Sequence, residues 1–496
     1  MPPLASLCHS ALRSRDRRFD GVFFTGVTST GIYCRPICPT RTPLLANCVF
    51  FDDSIAALRA GFRPCLRCRP ELSPARSRGA DESVPAQLLR CLRIRAVEGA
   101  GVPAIARAAG YSERQFRRLL VEAYGVSPVE VLQWGRLLFA KRLLQDTNLP
   151  VSQIALSAGF RSVRRFNACF RDRLHLTPDR LRKRAPREHS IDNTGASLRM
   201  TLAYRPPYAW TEMCRWLRAR ATRGVEFVGP GESYARTCRW GGHSGWLVVR
   251  NDAPRSQLTV EISPSLAPAL AVVETRLRSL LDLDAQPAVL VEAFAGDPCL
   301  GPLVDRHPGL RLPGSWEIFE TAVRTVLGQQ VSVAAATTLA GRLVQRFGER
   351  CSTPQAELTH LSLTPETLGN ATVEALCAEG LTRRRAETLR VLAAFAQRGG
   401  LNFSPGEGYD AVCRTLQELP GIGPWTAQYI TLRALRFPDA FPAGDLGLRR
   451  ALGRGEIARE SEVEKQSARW RPWRAYAAAL LWQSQSDHLA SQPFNS

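Results

Sequence analysis

Residues 31–41 read GIYCRPICPTR, and residues 61–70 read GFRPCLRCRP. These stretches carry two cysteine pairs, C-x3-C and C-x2-C, that are separated by 26 residues: Cys34, Cys38, Cys65 and Cys68. Two such knuckles let four thiolates converge on one tetrahedral ion, and the neighbouring prolines stiffen the turns. The spacing therefore predicts a site for one Zn2+ with these four ligands. Spacing alone leaves open whether the zinc only folds its domain or also takes part in chemistry.

Length and cysteine usage narrow the class of protein. The chain has 496 residues, too many for one core, so three to four domains are expected. The other ten cysteines are scattered without paired spacing, and no leader segment opens the chain, which favours an intracellular protein with reduced thiols. No apolar run is long enough to span a bilayer, so no membrane role is indicated.

Positive charge is concentrated in the N-terminal part. Residues 1–190 carry 32 Lys and Arg against 15 Asp and Glu, which accounts for +17 of the net charge of +21. A preference for arginine codons would explain the choice of arginine over lysine, but it would not explain this asymmetry. The N-terminal two fifths are therefore expected to bind nucleic acid phosphates.

Residues 85–184 show two similar helix-turn-helix units. The first is VPAIARAAGYS at 102–112 followed by a helix over 113–124, and the second is VSQIALSAGFRS at 151–162 followed by a helix over 163–174. Each unit has a turn glycine and a serine that can cap the next helix. The second helices carry side chains of the types that reach phosphates and base edges: Arg114, Gln115, Arg117, Arg118, Arg164, Arg165 and Asn167. A solvated helix face is the alternative interpretation.

The remainder of the chain divides into a mixed part and a helical part. Residues 197–300 alternate strand-like and helical runs, and the pattern is helical from Trp316 on. Linkers are predicted at 73–84 and 183–196, with a softer break near 301–313. The fold class is expected to be multidomain, mainly α with α+β parts. The predicted domains are 1–75 (four-cysteine zinc domain), 84–185 (double helix-turn-helix), 197–305 (small mixed α+β) and 306–490 (helical).

Two motifs in the helical part carry chemistry. The segment LPGIGPWTA at 419–427 predicts a hairpin between two helices that offers backbone amides to a DNA phosphate, although a plain helical turn would look similar. The segment AGDLGLR at 443–449 places Asp445 at the start of another helix, where a carboxylate can also act as an N-cap.

The N-terminal motifs resemble two known families. GIYCRPICPTR and GFRPCLRCRP are similar to the N-terminal domain of the bacterial Ada response proteins, over roughly residues 1–75. This resemblance implies that Cys34 accepts methyl groups from alkylated DNA phosphates.

The two helix-turn-helix units, with GFRS at 159–162 and LTP at 176–178, resemble AraC-type DNA-binding domains. Together they imply a methylation-controlled transcriptional activator in the bacterial cytoplasm, associated with the nucleoid, with promoter DNA and RNA polymerase as partners. The Pro-Cys-His-Arg core of the O6-methylguanine transferase domain does not occur in the chain.

The C-terminal half resembles the AlkA-type helix-hairpin-helix DNA glycosylases, from about residue 198 to 485. The likeness rests on the hairpin, on AGDLGLR, and on RPPYAW at 205–210, LRLPG at 310–314, GQQVS at 328–332 and WRPWRAY at 470–476. It implies that Asp445 is the catalytic carboxylate in the excision of alkylated purines of the 3-methyladenine type. It implies a base pocket formed by Trp425, Tyr429, Trp482 and Trp216, and DNA contacts from Gly421, Gly423, Thr426 and Gln330.

Three departures from family patterns refine this expectation. Trp425 stands where DNA-nicking relatives have a Schiff-base lysine, so a monofunctional glycosylase is expected. The clustered cysteines of iron–sulfur members are missing, so no such cluster is expected. Gln330 stands where the best-known pattern has an intercalating leucine. Two rival functions remain: a repair enzyme whose N-terminal modules only add DNA affinity, and a transcription factor with an inactive glycosylase half.

Overall fold

The computed structural model describes residues 5–75, 83–95, 100–147, 149–184, 197–404, 407–453 and 456–491. Most of both predicted linkers, 73–84 and 183–196, lies outside these ranges. Within them, no helix combines the length and apolar character needed to span a bilayer.

The N-terminal part is a small sheet flanked by two helices. Its elements are α1 (Ala5–Ser14), β1 (Phe24–Val27), β2 (Ile32–Cys34), β3 (Cys48–Phe51), α2 (Ser54–Arg59) and β4 (Arg63–Pro64). The strand order is β3-β1-β2-β4, and β2 and β4 are parallel neighbours. Cys34 ends β2 and Cys65 directly follows β4, so the sheet brings the first cysteine of each pair to the same edge.

Seven helices form the next part. They are α3 (Val84–Arg95), α4 (Val102–Ala108), α5 (Glu113–Tyr124), α6 (Pro128–Asp146), α7 (Val151–Ser157), α8 (Val163–Leu174) and α9 (Pro178–Arg184). The second helices of the two units, α5 and α8, have the predicted bounds. The Ser112 and Ser162 hydroxyls cap them, and Gly110 and Gly159 adopt φ of +79° and +80° in the preceding turns. The long helix α6 joins the two units.

A five-stranded antiparallel sheet follows, in the order β5-β9-β8-β7-β6. Its elements are β5 (Leu198–Ala203), α10 (Trp210–Arg220), β6 (Glu226–Gly229), β7 (Ser233–Trp240), β8 (His243–Asp252), β9 (Gln257–Ile262) and α11 (Leu270–Leu280). These strands and helices agree with the alternation of strand-like and helical runs expected over residues 197–300. A 3-10 segment, Pro264–Ala269, precedes α11 and contains Pro268, because proline interrupts regular α-helical hydrogen bonding.

Twelve helices complete the described chain. They are α12 (Pro287–Phe294), α13 (Gly301–Arg306), α14 (Ile318–Leu327), α15 (Val333–Phe347), α16 (Pro365–Asn370), α17 (Val373–Ala378), α18 (Arg383–Gln397), α19 (Tyr409–Gln417), α20 (Pro424–Ile430), α21 (Leu446–Leu452), α22 (Glu460–Ser467) and α23 (Arg474–Ser491). A π-helical segment, Thr431–Leu435, extends α20.

The helical half has two apolar cores that meet at α20. One core is built from α14 to α20, and the other combines α12 and α13 with α21 to α23. Ile430 of α20 is buried in the first core, whereas Tyr429 packs against the second. The stretch of the softer break expected at 301–313 contains α13 and the buried Leu312. The fold class predicted from the sequence is confirmed.

The N-terminal, helix-turn-helix and mixed parts share apolar packing. One contiguous buried cluster includes Phe24 and Tyr33, side chains of α6 to α9, and the inner face of the five-stranded sheet. These three parts are therefore packed on one another in the structure.

Candidate functional site

The four cysteines of the two knuckles form a compact sulfur cluster. Their Sγ atoms all lie within 4.8 Å of one another, and each residue is only 4% to 7% exposed. Tetrahedral zinc with Zn–S bonds of about 2.3 Å requires S–S separations of roughly 3.8 Å, so this donor set fits the ion without large movement. Among the described residues, these four are the cysteines that converge on one point. The cluster is a site for one Zn2+.

Hydrogen bonds from outside the cluster reach two of the four sulfurs. Cys68 Sγ accepts from the Arg35 backbone N–H at 3.3 Å. Cys38 Sγ is 3.0 Å from the Thr40 hydroxyl.

The predicted DNA-reading side chains lie mostly on open helix surface. Arg114, Arg117 and Arg118 on α5, and Arg164 and Arg165 on α8, are exposed, whereas Asn167 is half-buried. Gln115 has a second task, because its Oε1 accepts from the Ser112 backbone N–H and hydroxyl in a capping box. The capping motif S-x-x-Q at 112–115 is the sequence signal for this role.

The Asp445 carboxylate is held by three N–H groups. Trp482 Nε1 donates to Oδ1 at 2.9 Å, Trp425 Nε1 donates to Oδ2 at 3.2 Å, and the Leu448 backbone N–H donates to Oδ1 at 3.2 Å. Asp445 therefore is the N-cap of α21, as its position suggested, and it is also clamped by two indoles. A Cβ on Gly447 would lie 3.0 Å from Oδ1 and 3.2 Å from Trp482 Cδ1, which accounts for the glycine in AGDLGLR.

The four predicted pocket aromatics form one cluster around this carboxylate. Trp425 and Tyr429 stack with ring centroids 5.5 Å apart, Tyr429 lies 5.8 Å from Trp482, and Trp482 lies 5.5 Å from Trp216. The structure thus brings together Trp216 of the mixed part with three residues more than 200 positions later in the chain.

Two arginines in this cluster were not anticipated from the sequence. Arg433 donates to the Pro313 and Gly314 carbonyls at 2.6 and 2.9 Å and to the Tyr429 hydroxyl at 2.9 Å, so it links the LRLPG segment at 310–314 to Tyr429. The Arg220 guanidinium lies 3.4 Å from the Trp216 ring centroid. Although burial acts to raise the pKa of Tyr429, the charges of Arg433 and Arg220 lower it below its usual value. Each arginine follows its aromatic partner by four residues, a spacing that places both on one helix face.

The side chain of Gln329 holds the hairpin at residues 419–427 through two hydrogen bonds. Its Nε2 donates to the Gly421 carbonyl at 2.9 Å and to the Thr426 hydroxyl at 3.0 Å, and Thr426 is buried. Gly421 has φ of +88°, whereas a Cβ added to Gly423 would meet open space. Gln330 is exposed between α14 and α15 in a left-handed conformation with φ of +55°. Gly423 and Gln330 therefore are open to a ligand, while Thr426 serves the hairpin internally.

Four protein-family models match successive parts of the chain. They are the metal binding domain of Ada (residues 7–71), a helix-turn-helix domain (105–184), the AlkA N-terminal domain (199–317) and the HhH-GPD superfamily of base excision DNA repair proteins (323–474). The resemblances inferred from the sequence are confirmed by these matches.

Relatives and a solved structure extend the comparison. The chain is 39% identical over 480 residues to the probable bifunctional transcriptional activator/DNA repair enzyme AlkA of Mycobacterium tuberculosis, covering 96% of this chain and 95% of the relative. It is 37% identical over 283 residues to DNA-3-methyladenine glycosylase 2 of Escherichia coli, covering 57% of this chain and 96% of that one. The structure of 3-methyladenine DNA glycosylase from Archaeoglobus fulgidus matches with a TM-score of 0.52 and 25% identity, over 58% of this chain and 98% of that one.

Fold and sites together define a protein that joins DNA-binding modules to a base excision glycosylase fold. The chain belongs to the family of bifunctional transcriptional activator/DNA repair enzymes of the AlkA type.

Proposed function

We propose that this protein senses and repairs alkylated DNA. Cys34 takes a methyl group from a DNA methylphosphotriester and thereby switches the helix-turn-helix part to transcriptional activation, while the C-terminal half excises alkylated purines as a monofunctional glycosylase. The observation that carries the proposal is the Asp445 carboxylate, held by two indole N–H groups inside an aromatic cluster beside the hairpin. A structural N-cap alone would not require the two indoles.

The methyl acceptor step uses Cys34. Bound zinc keeps the four thiols deprotonated at neutral pH. Cys34 Sγ attacks the methyl carbon, the C–O bond breaks, and the phosphate oxygen leaves with the electron pair as a diester anion. The product is a thioether, so the cluster loses one negative charge and its repulsion from DNA phosphates falls.

The excision step uses Asp445. Breaking the N-glycosidic bond builds positive charge on the sugar, and the fixed carboxylate stabilises that charge while the base leaves with the bonding electron pair. Water adds to C1′ and releases one proton to the solvent. The indole N–H groups keep the carboxylate in place, and the aromatic cluster supplies stacking surfaces for a flipped base. The exposed Gln330 is proposed to enter the space left in the duplex.

The helix-turn-helix part supplies the regulatory half of the proposed function. Recognition helices α5 and α8 read promoter DNA through their exposed arginines, and activation involves RNA polymerase on the bacterial nucleoid in the cytoplasm. The proposed domains are 1–75, 84–185, 197–305 and 306–490.

Two measurements test the proposal and separate it from its rivals. Purified protein is expected to release 3-methyladenine from methylated duplex, and Asp445→Asn is expected to lose this release; no release by the unaltered protein would leave a transcription factor with an inactive second half. A reporter gene is expected to respond to methylating stress only when Cys34 is intact. An equal response in Cys34→Ala would leave a repair enzyme without regulation.

A further inference from the structure

The second cysteine knuckle, residues 65–71, lies at the junction of three parts of the molecule. It contains two of the metal ligands, Cys65 and Cys68, and two charged residues after them, Arg69 and Glu71. One set of contacts from this knuckle reaches helix α6 of the helix-turn-helix part, and another reaches the start of the glycosylase half.

The contacts toward α6 are buried ion pairs. Arg69 Nη1 and Nη2 lie 2.6 and 2.9 Å from the two oxygens of Asp146. Glu71 Oε1 lies 2.5 Å from Nζ of Lys141, whose side chain is completely buried. Arg69 also has a left-handed backbone, with φ of 53°, immediately after the ligand Cys68. Removing one partner from a buried pair leaves an uncompensated charge, so these pairs depend on the position of the knuckle.

The contacts toward the glycosylase half pass through Arg35 and Asp20. Arg35 donates from its backbone N–H to Cys68 Sγ and from Nη1 to the Cys68 carbonyl at 3.1 Å. The same guanidinium pairs with Asp20, with Nε 2.7 Å from Oδ1. The Asp20 carbonyl in turn accepts from Nε of Arg205 at 2.8 Å.

Arg205 belongs to the glycosylase half and is only 1% exposed. Its other donors reach the carbonyls of Pro74 at 3.1 Å, Ala75 at 2.9 Å and Asp284 at 2.9 Å. One buried side chain thus ties the backbone after the metal-binding part to two segments of the glycosylase half. A buried guanidinium needs all these acceptors, because each one lost leaves a charged donor without a partner.

Apolar contacts hold only part of the knuckle. Leu66 packs against the large apolar cluster, whereas the four cysteines contact one another and Ile32, and β4 is only two residues long. Metal binding supplies the folding free energy of sites of this kind. The position of Cys68, and with it that of Arg35, Arg69 and Glu71, therefore depends on the metal.

We propose that the second knuckle is a coupling element. Through it, a change in the metal cluster alters the structural order of both the C-terminal end of α6 and the segment around Arg205. Metal occupancy, or a change at Cys34 in the same cluster, then alters the order of two distant functional parts through the two sets of contacts that start at this knuckle. This coupling does not depend on whether the glycosylase half excises a base.

Hydrogen–deuterium exchange on the full chain tests the coupling. Zinc-loaded protein is compared with protein treated with a chelator. Removal of the metal is expected to raise amide exchange about tenfold in residues 141–147 and 198–205, in addition to 61–75, with no change in α18 of the helical half. Exchange that rises only in 31–41 and 61–75 would overturn the proposal. A rise everywhere, α18 included, would also overturn it, because the metal would then support the whole fold without a specific route.

Two variants separate the contacts. In zinc-loaded Arg205→Gln, exchange is expected to rise in 198–205 and at Ala75 but not in 141–147. The matched control is Arg17→Gln, which removes a less buried contact between the same two parts, the 2.6 Å bond to the Arg255 carbonyl, and should leave both segments unchanged. Identical behaviour of the two variants would contradict the role of Arg205. If Arg205→Gln fails to fold, chelation of the unaltered protein still decides the question.

Discussion

The sulfur cluster and the Asp445 site are built in opposite ways. All four sulfurs come from residues 34–68, on two knuckles at the edge of one small sheet, whereas the Asp445 site combines residues from 216 to 482 on four different helices or turns. The sulfur site depends on a metal for its charge state, and the carboxylate site depends on N–H donors of its own chain. A local site can be recognised by its spacing, while a site assembled from distant segments shows only its separate motifs.

The largest expected effect concerns Cys34. Replacing Cys34 by alanine removes the sulfur that is proposed to attack the methyl group, so methyl transfer from methylphosphotriester DNA is expected to fall below detection. Transfer of a labelled methyl group to the protein measures this. The control is Cys48→Ala, which changes a partly buried cysteine of the same part outside the cluster and should leave transfer intact. Labelling of Cys34→Ala at the level of the control would show that another sulfur is the acceptor.

The second largest expected effect concerns Asp445, and it tests the carboxylate site independently of the sulfur cluster. Asp445→Asn is expected to slow 3-methyladenine release by about 10²- to 10⁴-fold, because a neutral amide cannot stabilise positive charge on the sugar and cannot accept from both indoles. Release of the free base from methylated duplex gives the rate. Asp410→Asn changes an exposed acid at the start of α19 and serves as the control. Full activity of Asp445→Asn would mean that Asp445 is only a helix cap.

A smaller effect tests whether the indoles act through the carboxylate. Trp482→Phe keeps an aromatic ring but removes the donor 2.9 Å from Asp445 Oδ1. The loss of a hydrogen bond to a charged group, about 1.5–3 kcal/mol, corresponds to a rate reduction of roughly 10- to 100-fold. Single-turnover excision rates measure it. Trp473→Phe, which changes a partly buried tryptophan just before α23, is expected to stay near the unaltered rate. Equal loss in both variants would point to packing instead.

Much of this architecture was predictable because its signals are local. The cysteine spacing identified the metal ligands, and a turn glycine followed by a capping serine fixed the bounds of α5 and α8. The hairpin and the helix that starts after Asp445 were likewise visible in short motifs. In each case, a few neighbouring residues determine the backbone conformation.

The remaining features depend on contacts between distant segments. Nothing near Asp445 in the sequence indicates that Trp425 and Trp482 donate to it, since they lie 20 and 37 positions from it. Arg205 was visible only as part of RPPYAW, and its bonds to Asp20 and Ala75 exist only because two parts dock. Interdomain polar contacts follow no helical or strand periodicity, so pattern analysis does not detect them.

The smallest expected effect compares the two glycines of the hairpin that leads to Asp445. Gly421 has φ of +88°, and a Cβ there would lie 2.0 Å from Thr388 Oγ1, so Gly421→Ala is expected to destabilise the helical half by about 1–3 kcal/mol. Gly423 has φ of −89° and open space around a Cβ, so Gly423→Ala should leave stability within roughly 0.5 kcal/mol. Thermal unfolding measures stability, and binding to methylated duplex measures DNA affinity.

If Gly423 lies against a phosphate, its alanine variant loses affinity without losing stability. Unchanged affinity there would show that the hairpin shapes the helical half without touching DNA, and that the Asp445 site reaches its substrate by other contacts.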